Sequence, residues 1–358
     1  MENLVNPHFW QEKRVFLTGH TGFKGSWLSL WLQKMGATLT GFALAPSTSP
    51  SLFEVANVAP GMTSIIGDIR DVKHLSQGLA DSQAQIVLHL AAQALVGEGY
   101  RDPLGTYATN VQGTANLLEA VRNTPSVEAV VVVTSDKCYD NKEWPWPYRE
   151  NEALGGHDPY SSSKACAELI TAAYRDSFLA QAGVAVASAR AGNVFGGGDW
   201  SANRLIPDLL AAFSARQPAQ LRRPRAVRPW QHVLEPLAGY LILAERIATT
   251  PTLAGAWNFG PSEGDCRTAG DIANRMAALW GNGAEWQPEN SDFPHEAGML
   301  LLDSSRAKQG LGWQPRWTLD TALAATIFWH KSWLTATNMH AITLQQIEQF
   351  TTDAQYGH

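Results

Sequence analysis

Short apolar runs alternate with longer amphipathic segments through the first half of the chain. The runs are bounded by glycine or polar residues, a pattern typical of buried strands, whereas the longer segments have helical periodicity. Strands are predicted at 14–18, 38–44, 63–67, 86–90, 127–133 and 184–190, and helices at 26–35, 72–80, 103–122 and 160–181. Strands and helices that alternate at this length predict an α/β fold with a parallel, doubly wound sheet. Such a sheet binds ligands outside the carboxyl ends of its strands.

A glycine-rich turn, GHTGFKG at 19–25, joins the first predicted strand to the first predicted helix. Glycines allow a tight turn and let the backbone approach a pyrophosphate, which then lies at the helix N-terminus. Strand, glycine-rich turn and helix together predict a dinucleotide-binding unit; the alternative is an ordinary glycine-rich turn. The predicted cofactor-binding residues of this unit are Gly19, His20, Gly22, Phe23, Lys24 and Gly25.

The ends of the next strands supply further candidates for a cofactor site. Asp68, after the third strand, either accepts a hydrogen bond from an adenine amino group or caps the helix that follows. The end of the second strand, ALAPS at 43–47, carries neither an acid nor an arginine, so it does not choose between NAD and NADP. Small residues at 90–93 would let a cofactor lie against the backbone. These segments add Asp68, Ile69, Leu90, Ala91, Ala92, Gln93 and a bracing residue, Asn110.

The candidate chemistry lies around the end of the fifth strand and the helix after it. Tyr160 and Lys164 are four residues apart, so on a helix they share one face. An ammonium beside a phenol favours the phenolate, so we expect a lowered pKa for Tyr160 and a role in general acid/base catalysis. Ser135, Asp136 and Lys137 follow the strand directly. The alternatives are an ordinary surface helix for the first pair and a solvated loop for Asp136 and Lys137.

The composition and net charge of the chain argue against several classes of protein. Hydrophobic residues make up 45% of the 358 residues, which is enough for a sizeable core, and the net charge of −6 argues against a general nucleic-acid binder. Cys138, Cys166 and Cys266 form no metal-like cluster, so we expect reduced thiols, a cytoplasmic protein and no metal. Residues 1–14 lack the apolar segment of a signal peptide, and no run is long enough to span a membrane.

Taken in order, these motifs resemble the extended short-chain dehydrogenase/reductase family. The resemblance is carried by G-x-x-G-x-x-G at 19–25, Asp68, LAAQ at 90–93, Ser135 and Tyr160-x-x-x-Lys164. Within the family the chain is most similar to the nucleotide-sugar 4,6-dehydratases that act on CDP-glucose. Four segments carry this closer similarity: TGHTGFKGSW (18–27), TSDKCY (134–139), ARAGNVFGGGDW (189–200) and RPWQHVLEPLAGY (228–240). The lysine at 137 favours this cytidine branch, because the similar thymidine-nucleotide dehydratases carry a glutamate there.

The resemblance implies a Rossmann-type domain over residues 1–190, to which later elements return, and a smaller, interleaved C-terminal domain over 191–358 that binds the nucleotide sugar. It also implies NAD as the cofactor, CDP-glucose as the substrate, and a homodimer or dimer of dimers built through helices 103–122 and 160–181. The implied pathway is deoxysugar biosynthesis for lipopolysaccharide O-antigen. Glu296, Arg306 and the segment 310–315 match the C-terminal part of the family without an assigned role.

Catalytic roles follow from the same resemblance. Tyr160 would take the proton of the C4 hydroxyl, Ser135 would hold the C4 oxygen, and Lys164 would bind the nicotinamide ribose. Asp136 would protonate the leaving C6 hydroxyl. Lys137 is a candidate for removing the C5 proton, although a lysine must be neutral to act as a base.

Substrate binding is assigned by resemblance to Asn193, Arg204 and Arg228. Arg228 is suited to a bidentate phosphate contact because the guanidinium group is planar and charged. The alternatives are a 4-epimerase, a dehydratase for another nucleotide sugar, and a non-catalytic NAD-binding protein of the same fold.

Overall fold

The computed structural model describes residues 5–289 and 297–353, so Glu296 lies outside the described residues. The strands are β1 (Arg14–Thr18), β2 (Thr38–Ala43), β3 (Thr63–Ile66), β4 (Ile86–His89), β5 (Ala129–Val133), β6 (Ala185–Ala191), β7 (Asn193–Phe195), β8 (Ala219–Leu221), β9 (Val227–His232), β10 (Gly255–Phe259), β11 (Cys266–Thr268) and β12 (Trp286–Pro288). The helices are α1 (Pro7–Trp10), α2 (Phe23–Lys34), α3 (Leu52–Val55), α4 (Val72–Ser82), α5 (Val96–Arg101), α6 (Pro103–Tyr107), α7 (Gly113–Arg122), α8 (Pro159–Tyr174), α9 (Leu205–Ser214), α10 (Leu234–Thr249), α11 (Ala269–Trp280), α12 (Ser305–Gly310), α13 (Leu319–Leu334) and α14 (Met339–Asp353).

Seven strands form one parallel sheet in the order β10-β6-β5-β4-β1-β2-β3. The central strands β4, β5 and β6 are buried along their whole length, because a separate apolar cluster covers each face of the sheet. Val131 of β5 belongs to the cluster that includes α2 and α10, whereas Val130 belongs to the one that includes α4 and α7. The predicted α/β fold with a parallel, doubly wound sheet is confirmed. Strand order reverses between β1 and β4, where this type of sheet opens a ligand-binding crevice.

The second half of the chain returns to this sheet. β10 pairs in parallel with β6, with Trp257 opposite Ala189, and α10 packs against β5 and β6. The remaining strands form two small sheets, β11-β9-β7 and β12-β8. Because β7 begins at Asn193, directly after β6 ends at Ala191, the main sheet leads straight into the first small sheet.

The two long predicted helices each contain a π-helical turn. Ala108–Gln112 separates α6 from α7, and Arg175–Leu179 follows α8. Such turns occur frequently at functional sites. The first of them holds Asn110, a predicted site residue.

The C-terminal helices are part of the core. Phe350 of α14 packs edge-on against Trp31 of α2, with ring centroids 5.8 Å apart, and against Trp317 at 5.3 Å. These contacts join the end of the chain to the helix that follows the glycine-rich turn. Among the described residues, no helix has both the length and the apolar character that a membrane crossing requires.

Candidate active site

The glycine-rich turn packs backbone against backbone. Gly19 has a φ of +79°, and a Cβ added there would lie 2.7 Å from the backbone nitrogen of Ala91. A Cβ on Gly25 would lie 2.0 Å from the carbonyl oxygen of Gly19. Gly22, at the N-terminus of α2, is exposed and would meet only one ordinary contact, so the space in front of it is open. A close-packed backbone cradle at a helix N-terminus fits the diphosphate of a dinucleotide.

The side chains of this turn differ in what they offer a ligand. His20 is fully buried with its Nε2 2.7 Å from the Ser64 hydroxyl, and burial lowers its pKa to about 4. Only the backbone of His20 is therefore left to contact a cofactor. Phe23 packs partly against the core. Lys24 instead contacts α10, with its Nζ 3.5 Å from the Tyr240 hydroxyl.

Hydrogen bonds hold the loop after β4, where Leu90, Ala91, Ala92 and Gln93 are all half-buried. Asn110 accepts from the Gln93 N–H at 2.8 Å, and its amide donates to the Gln93 carbonyl at 2.9 Å and to the Ser163 hydroxyl at 2.8 Å. The Ala91 N–H donates to the Thr18 hydroxyl at 3.2 Å. Asn110 therefore ties the loop to α8, in the bracing position expected for it.

Asp68 lies beyond the end of β3 beside a cation. Its carboxylate accepts hydrogen bonds from the Arg70 guanidinium at 2.5–3.0 Å, and this contact lowers the pKa of Asp68. The cap of α4 is Asp71, which accepts from the backbone N–H of His74 at 3.1 Å. The alternative that Asp68 caps α4 is therefore wrong. Ile69, next to Asp68, is buried.

Ser135 and Asp136 are joined at the carboxyl end of β5, in a short turn at residues 135–138 that we call the catalytic turn, after the candidate catalytic residues in it. The Ser135 hydroxyl donates to Asp136 Oδ1 at 2.9 Å and accepts from the Lys137 N–H at 3.2 Å. Asp136 is 2% exposed, and its Oδ2 has no hydrogen-bond partner among the described residues. Burial raises the pKa of Asp136, although Lys137, Ser135 and Arg228 act in the opposite direction. A buried carboxyl with a raised pKa can hold a proton and donate it.

Tyr160 and Lys164 both lie buried on α8, one turn apart. Burial raises the pKa of Tyr160 to about 12, although Ser135 and Arg204 act to lower it. The ammonium of Lys164 lies 3.5 Å from the Val133 carbonyl oxygen, and burial lowers its pKa to about 8. The expected lowered pKa of Tyr160 is therefore wrong for the free protein, because burial outweighs the lowering by Ser135 and Arg204.

Asn193 and Arg204 both lie in the stretch between β6 and α9. Asn193 is the first residue of β7, half-buried and paired with the backbone of Trp230. Arg204 precedes α9, with its guanidinium 3.4 Å from both the Asp199 carboxylate and the Ala94 carbonyl. The positive charge of Arg204 acts to lower the pKa of Tyr160. Arg204 is thus brought to the catalytic residues from a distant part of the chain.

Arg228 is buried on β9. Its guanidinium donates to the backbone carbonyls of Val227, at 2.9 Å, and Ala297, and its positive charge acts on Asp136. The predicted phosphate contact of Arg228 stays a prediction. In this structure the side chain already holds the backbone at Ala297.

A buried polar layer behind the catalytic turn was missed by sequence reasoning. Glu168 of α8 accepts hydrogen bonds from the hydroxyls of Thr134 and Ser188 and from the Arg190 guanidinium. Arg190 also donates to the Tyr139 hydroxyl at 2.8 Å. A signal was available, because an arginine that ends an apolar strand and a glutamate one turn after a catalytic lysine are both unusual in a core.

The comparison with known proteins gives the class of protein that this fold and site define. Residues 15–260 match the model of the NAD dependent epimerase/dehydratase family. Because the match covers more than half of the chain, this protein belongs to that family. The predicted family is confirmed, and so is NAD as the family's cofactor.

The chain is also similar to particular members of the family. It is 50% identical over 353 residues to a CDP-glucose 4,6-dehydratase of Salmonella typhimurium, covering 97% of this chain and 98% of the relative. It is 28% identical over 330 residues to a dTDP-glucose 4,6-dehydratase of Mycolicibacterium smegmatis, covering 89% and 93%.

Solved structures share the fold at lower identity. The dTDP-glucose 4,6-dehydratase DesIV of Streptomyces venezuelae, with NAD and TYD bound, superposes with a TM-score of 0.78 at 21% identity over 91% of this chain and 99% of that one. An epimerase of Methanothermobacter thermautotrophicus superposes with a TM-score of 0.81 at 22% identity over 92% and 96%. Since dehydratases and epimerases fit equally well, the fold alone does not choose between the two reactions.

Proposed function

We propose that this protein is a CDP-glucose 4,6-dehydratase, which converts CDP-D-glucose to CDP-4-dehydro-6-deoxy-D-glucose with loss of water. The 50% identity to the Salmonella enzyme over nearly the whole chain supports this assignment. The structural observation that carries it is Asp136. A buried carboxyl with a raised pKa and one unpaired oxygen is a proton donor, which elimination of water needs and simple epimerisation does not.

The proposed cofactor site uses the carboxyl ends of β1, β3 and β4. The residues that would hold NAD are Gly19, His20, Gly22, Phe23, Lys24, Gly25, Asp68, Ile69, Leu90, Ala91, Ala92, Gln93, Asn110, Tyr160 and Lys164. NAD, when bound, supplies a hydride acceptor that oxidises C4 and later returns the hydride to C6, so it is not consumed. The nucleotide sugar would lie over β7 and β9, against Asn193, Arg204 and Arg228.

The proton transfers are assigned to residues of the catalytic turn and α8. Tyr160 accepts the proton of the C4 hydroxyl, and Ser135 holds the C4 oxygen. The C4 ketone acidifies the C5 proton, for which Lys137 is the proposed base. Asp136 donates its proton to the C6 hydroxyl as that group leaves as water. Lys137 then returns its proton to C5, which balances the hydride that C6 receives. These residues share one short turn and one helix face, which keeps a single sugar within reach of each.

Tyr160 is a neutral phenol in the free protein. With a pKa of about 12, its ionisation at pH 7 costs about 7 kcal/mol, at about 1.36 kcal/mol for each pH unit. Tyr160 can therefore act as a base only when cofactor and substrate are bound. The cations that border the cleft, Arg204, Lys164 and Lys24, supply the positive charge that favours the phenolate when a substrate excludes water.

A substrate comparison tests the proposed function. The purified protein would be incubated with CDP-glucose, dTDP-glucose, GDP-mannose and UDP-glucose, with NAD and separately with NADP. Mass spectrometry would follow the loss of one water from each sugar. Water loss from CDP-glucose in preference to the other three is the expected result. Tight NAD binding without water loss from any of them would favour an epimerase or a non-catalytic protein.

We also propose a homodimer or dimer of dimers formed by α6, α7 and α8. Large exposed apolar residues occur in α6 (Leu104, 81% exposed), in α8 (Leu169, 58%) and in the π-helical turn after α8 (Phe178, 46%). Sedimentation of the protein would test this, with Leu169→Glu expected to shift it toward the monomer. We further propose a cytoplasmic location and a role in making deoxysugars for surface polysaccharide.

A further inference from the structure

The side chain of Lys24 extends from the glycine-rich turn to Tyr240 of α10. Lys24 lies in the first turn of α2, yet its Nζ is 3.5 Å from the hydroxyl of Tyr240 and 5.8 Å from the centre of that ring. Tyr240 belongs to α10 and is completely buried. Lys24 itself is half-buried. The ammonium is therefore held inside the cleft by an uncharged partner.

The charged groups that face Lys24 come from three other elements. Arg204 precedes α9, Lys164 lies on α8, and Asp136 follows β5. Burial lowers the pKa of Lys24 to about 7, with further lowering by Arg204 and Lys164 and an opposing effect of Asp136. Burial raises the pKa of Asp136, which favours its uncharged form and weakens this opposing effect. Arg204 is paired with Asp199 at 3.4 Å, whereas Lys24 has no ion pair with a carboxylate among the described residues.

We propose that Lys24 is a further ligand-binding residue, whose ammonium binds a diphosphate anion between the glycine-rich turn and the catalytic centre. A partly desolvated cation with no anionic partner is an incomplete ion pair, and a diphosphate completes it. The inference rests on the proposed function, because NAD and CDP-glucose are both diphosphates. It assigns a role to the side chain of Lys24, in addition to the backbone contacts that the turn makes.

A pH dependence follows from this arrangement. A bound diphosphate stabilises the ammonium, so ligand binding takes up a proton wherever free Lys24 is neutral. Affinity is therefore highest below about pH 7 and falls as the pH rises above it. Lys164, with its pKa of about 8, adds a second fall at higher pH. Lys24→Arg should remove the first fall and keep the second, because arginine remains charged throughout.

Binding of NAD and of CDP by calorimetry, at about pH 6 and about pH 8, tests the proposal. The variants are Lys24→Met, which keeps the length of the chain, Lys24→Arg, and the control Lys34→Met. Lys34 ends the same helix and pairs with Glu348 on the surface at 3.2 Å. Lys24→Met should weaken binding about 10- to 100-fold, the effect of one charge-assisted hydrogen bond. Lys24→Arg should restore most of the affinity, and Lys34→Met should match the wild type.

The two ligands distinguish the source of the diphosphate. Weaker binding of NAD alone assigns Lys24 to the cofactor, weaker binding of CDP alone assigns it to the substrate, and weaker binding of both assigns it to each. Unchanged affinity for both ligands, in a variant that melts like the wild type, overturns the proposal. If Lys24→Met does not fold, an unchanged pH profile in Lys24→Arg overturns it instead. Turnover of CDP-glucose by Lys34→Met reports separately on the proposed function.

Discussion

Glu168 Oε2 lies 2.7 Å from Arg190 Nη2 directly behind the catalytic turn, and both side chains are 3% exposed. The pair is also hydrogen-bonded to Thr134, Ser188 and Tyr139, so each charged group has more than one hydrogen-bond partner. It joins α8, which carries Tyr160, to the strands on either side of it. A buried ion pair of this kind fixes the position of α8 against β5 and β6.

Removal of one partner from this pair should destabilise the protein strongly. Glu168→Gln leaves Arg190 buried without a countercharge, and the free energy of unfolding should fall by about 3–5 kcal/mol in urea denaturation. Glu348→Gln is the control, because its pair with Lys34 is exposed and should be worth at most about 1 kcal/mol. Similar losses for the two variants would contradict a stabilising role for the buried layer.

Asp136→Asn should separate oxidation from dehydration. Asparagine keeps the size of the side chain but cannot donate an acidic proton, so water loss should slow by about 10²- to 10⁴-fold. Oxidation at C4 should persist, and reduced nicotinamide should accumulate in a stopped-flow absorbance trace. Asp81→Asn, at an exposed position of α4, is the control. Full dehydration by Asp136→Asn would show that another group is the acid.

Tyr160→Phe should abolish the first step. The variant cannot take the C4 hydroxyl proton, so no reduced nicotinamide should form when substrate is mixed with the protein and NAD. Tyr174→Phe, two turns of helix or more beyond Lys164 on the same α8, removes a hydroxyl that contacts only surface Glu119 at 3.4 Å. It should react like the wild type. Normal formation of reduced nicotinamide by Tyr160→Phe would rule out the assigned role.

Gly19→Ala should cost more than backbone strain alone. Gly19 and Gly183 both have a φ of +79°, but an added Cβ at Gly183 meets no atom within 4 Å, whereas at Gly19 it meets Ala91 at 2.7 Å. Gly183→Ala should therefore lose about 1–2 kcal/mol of unfolding free energy. Gly19→Ala should lose more and should also lose NAD binding, measured by calorimetry. If Gly19→Ala and Gly183→Ala lost equal stability and both still bound NAD, the close backbone packing of Gly19 would not be needed for cofactor binding.

Glu235 should make the protein less stable as the pH rises. Burial raises its pKa to about 7 from an ordinary value of 4.5, so between these values the folded state keeps a proton that the unfolded state has released. Glu235 therefore makes its full contribution to the free energy of unfolding below about pH 4.5. As the pH rises to about 7, this contribution falls by about 3 kcal/mol in total.

Urea denaturation of the wild type and of Glu235→Gln, compared across this pH range, tests the effect. Glu235→Gln should gain stability relative to the wild type as the pH rises, since glutamine does not titrate. Its amide oxygen can still accept one of the hydrogen bonds from the backbone N–H groups of Arg316 and Trp317. Glu285→Gln, at an exposed position, is the control. A constant difference between Glu235→Gln and the wild type would contradict burial as the cause.

Much of the fold was open to prediction because it rests on local patterns. The strands of the main sheet from β1 to β6 were found to within a few residues, since each is a short apolar run between polar ends. The glycine-rich turn was equally clear. The cap of α4 was not, because Asp68 and Asp71 are equivalent in sequence and only the backbone geometry chooses Asp71.

The sequence by itself determined which residue types stand at the ends of the strands: glycines after β1, Ser135 and Asp136 after β5, and a tyrosine and a lysine on one helix face. Only the tertiary structure decided their chemical states. Tyr160 and Asp136 have raised pKa values because packing removes water from them. Lys24 meets Tyr240, and Glu168 meets Arg190, through contacts between distant segments. Desolvation and long-range charge depend on what the fold brings together, and no local pattern encodes them.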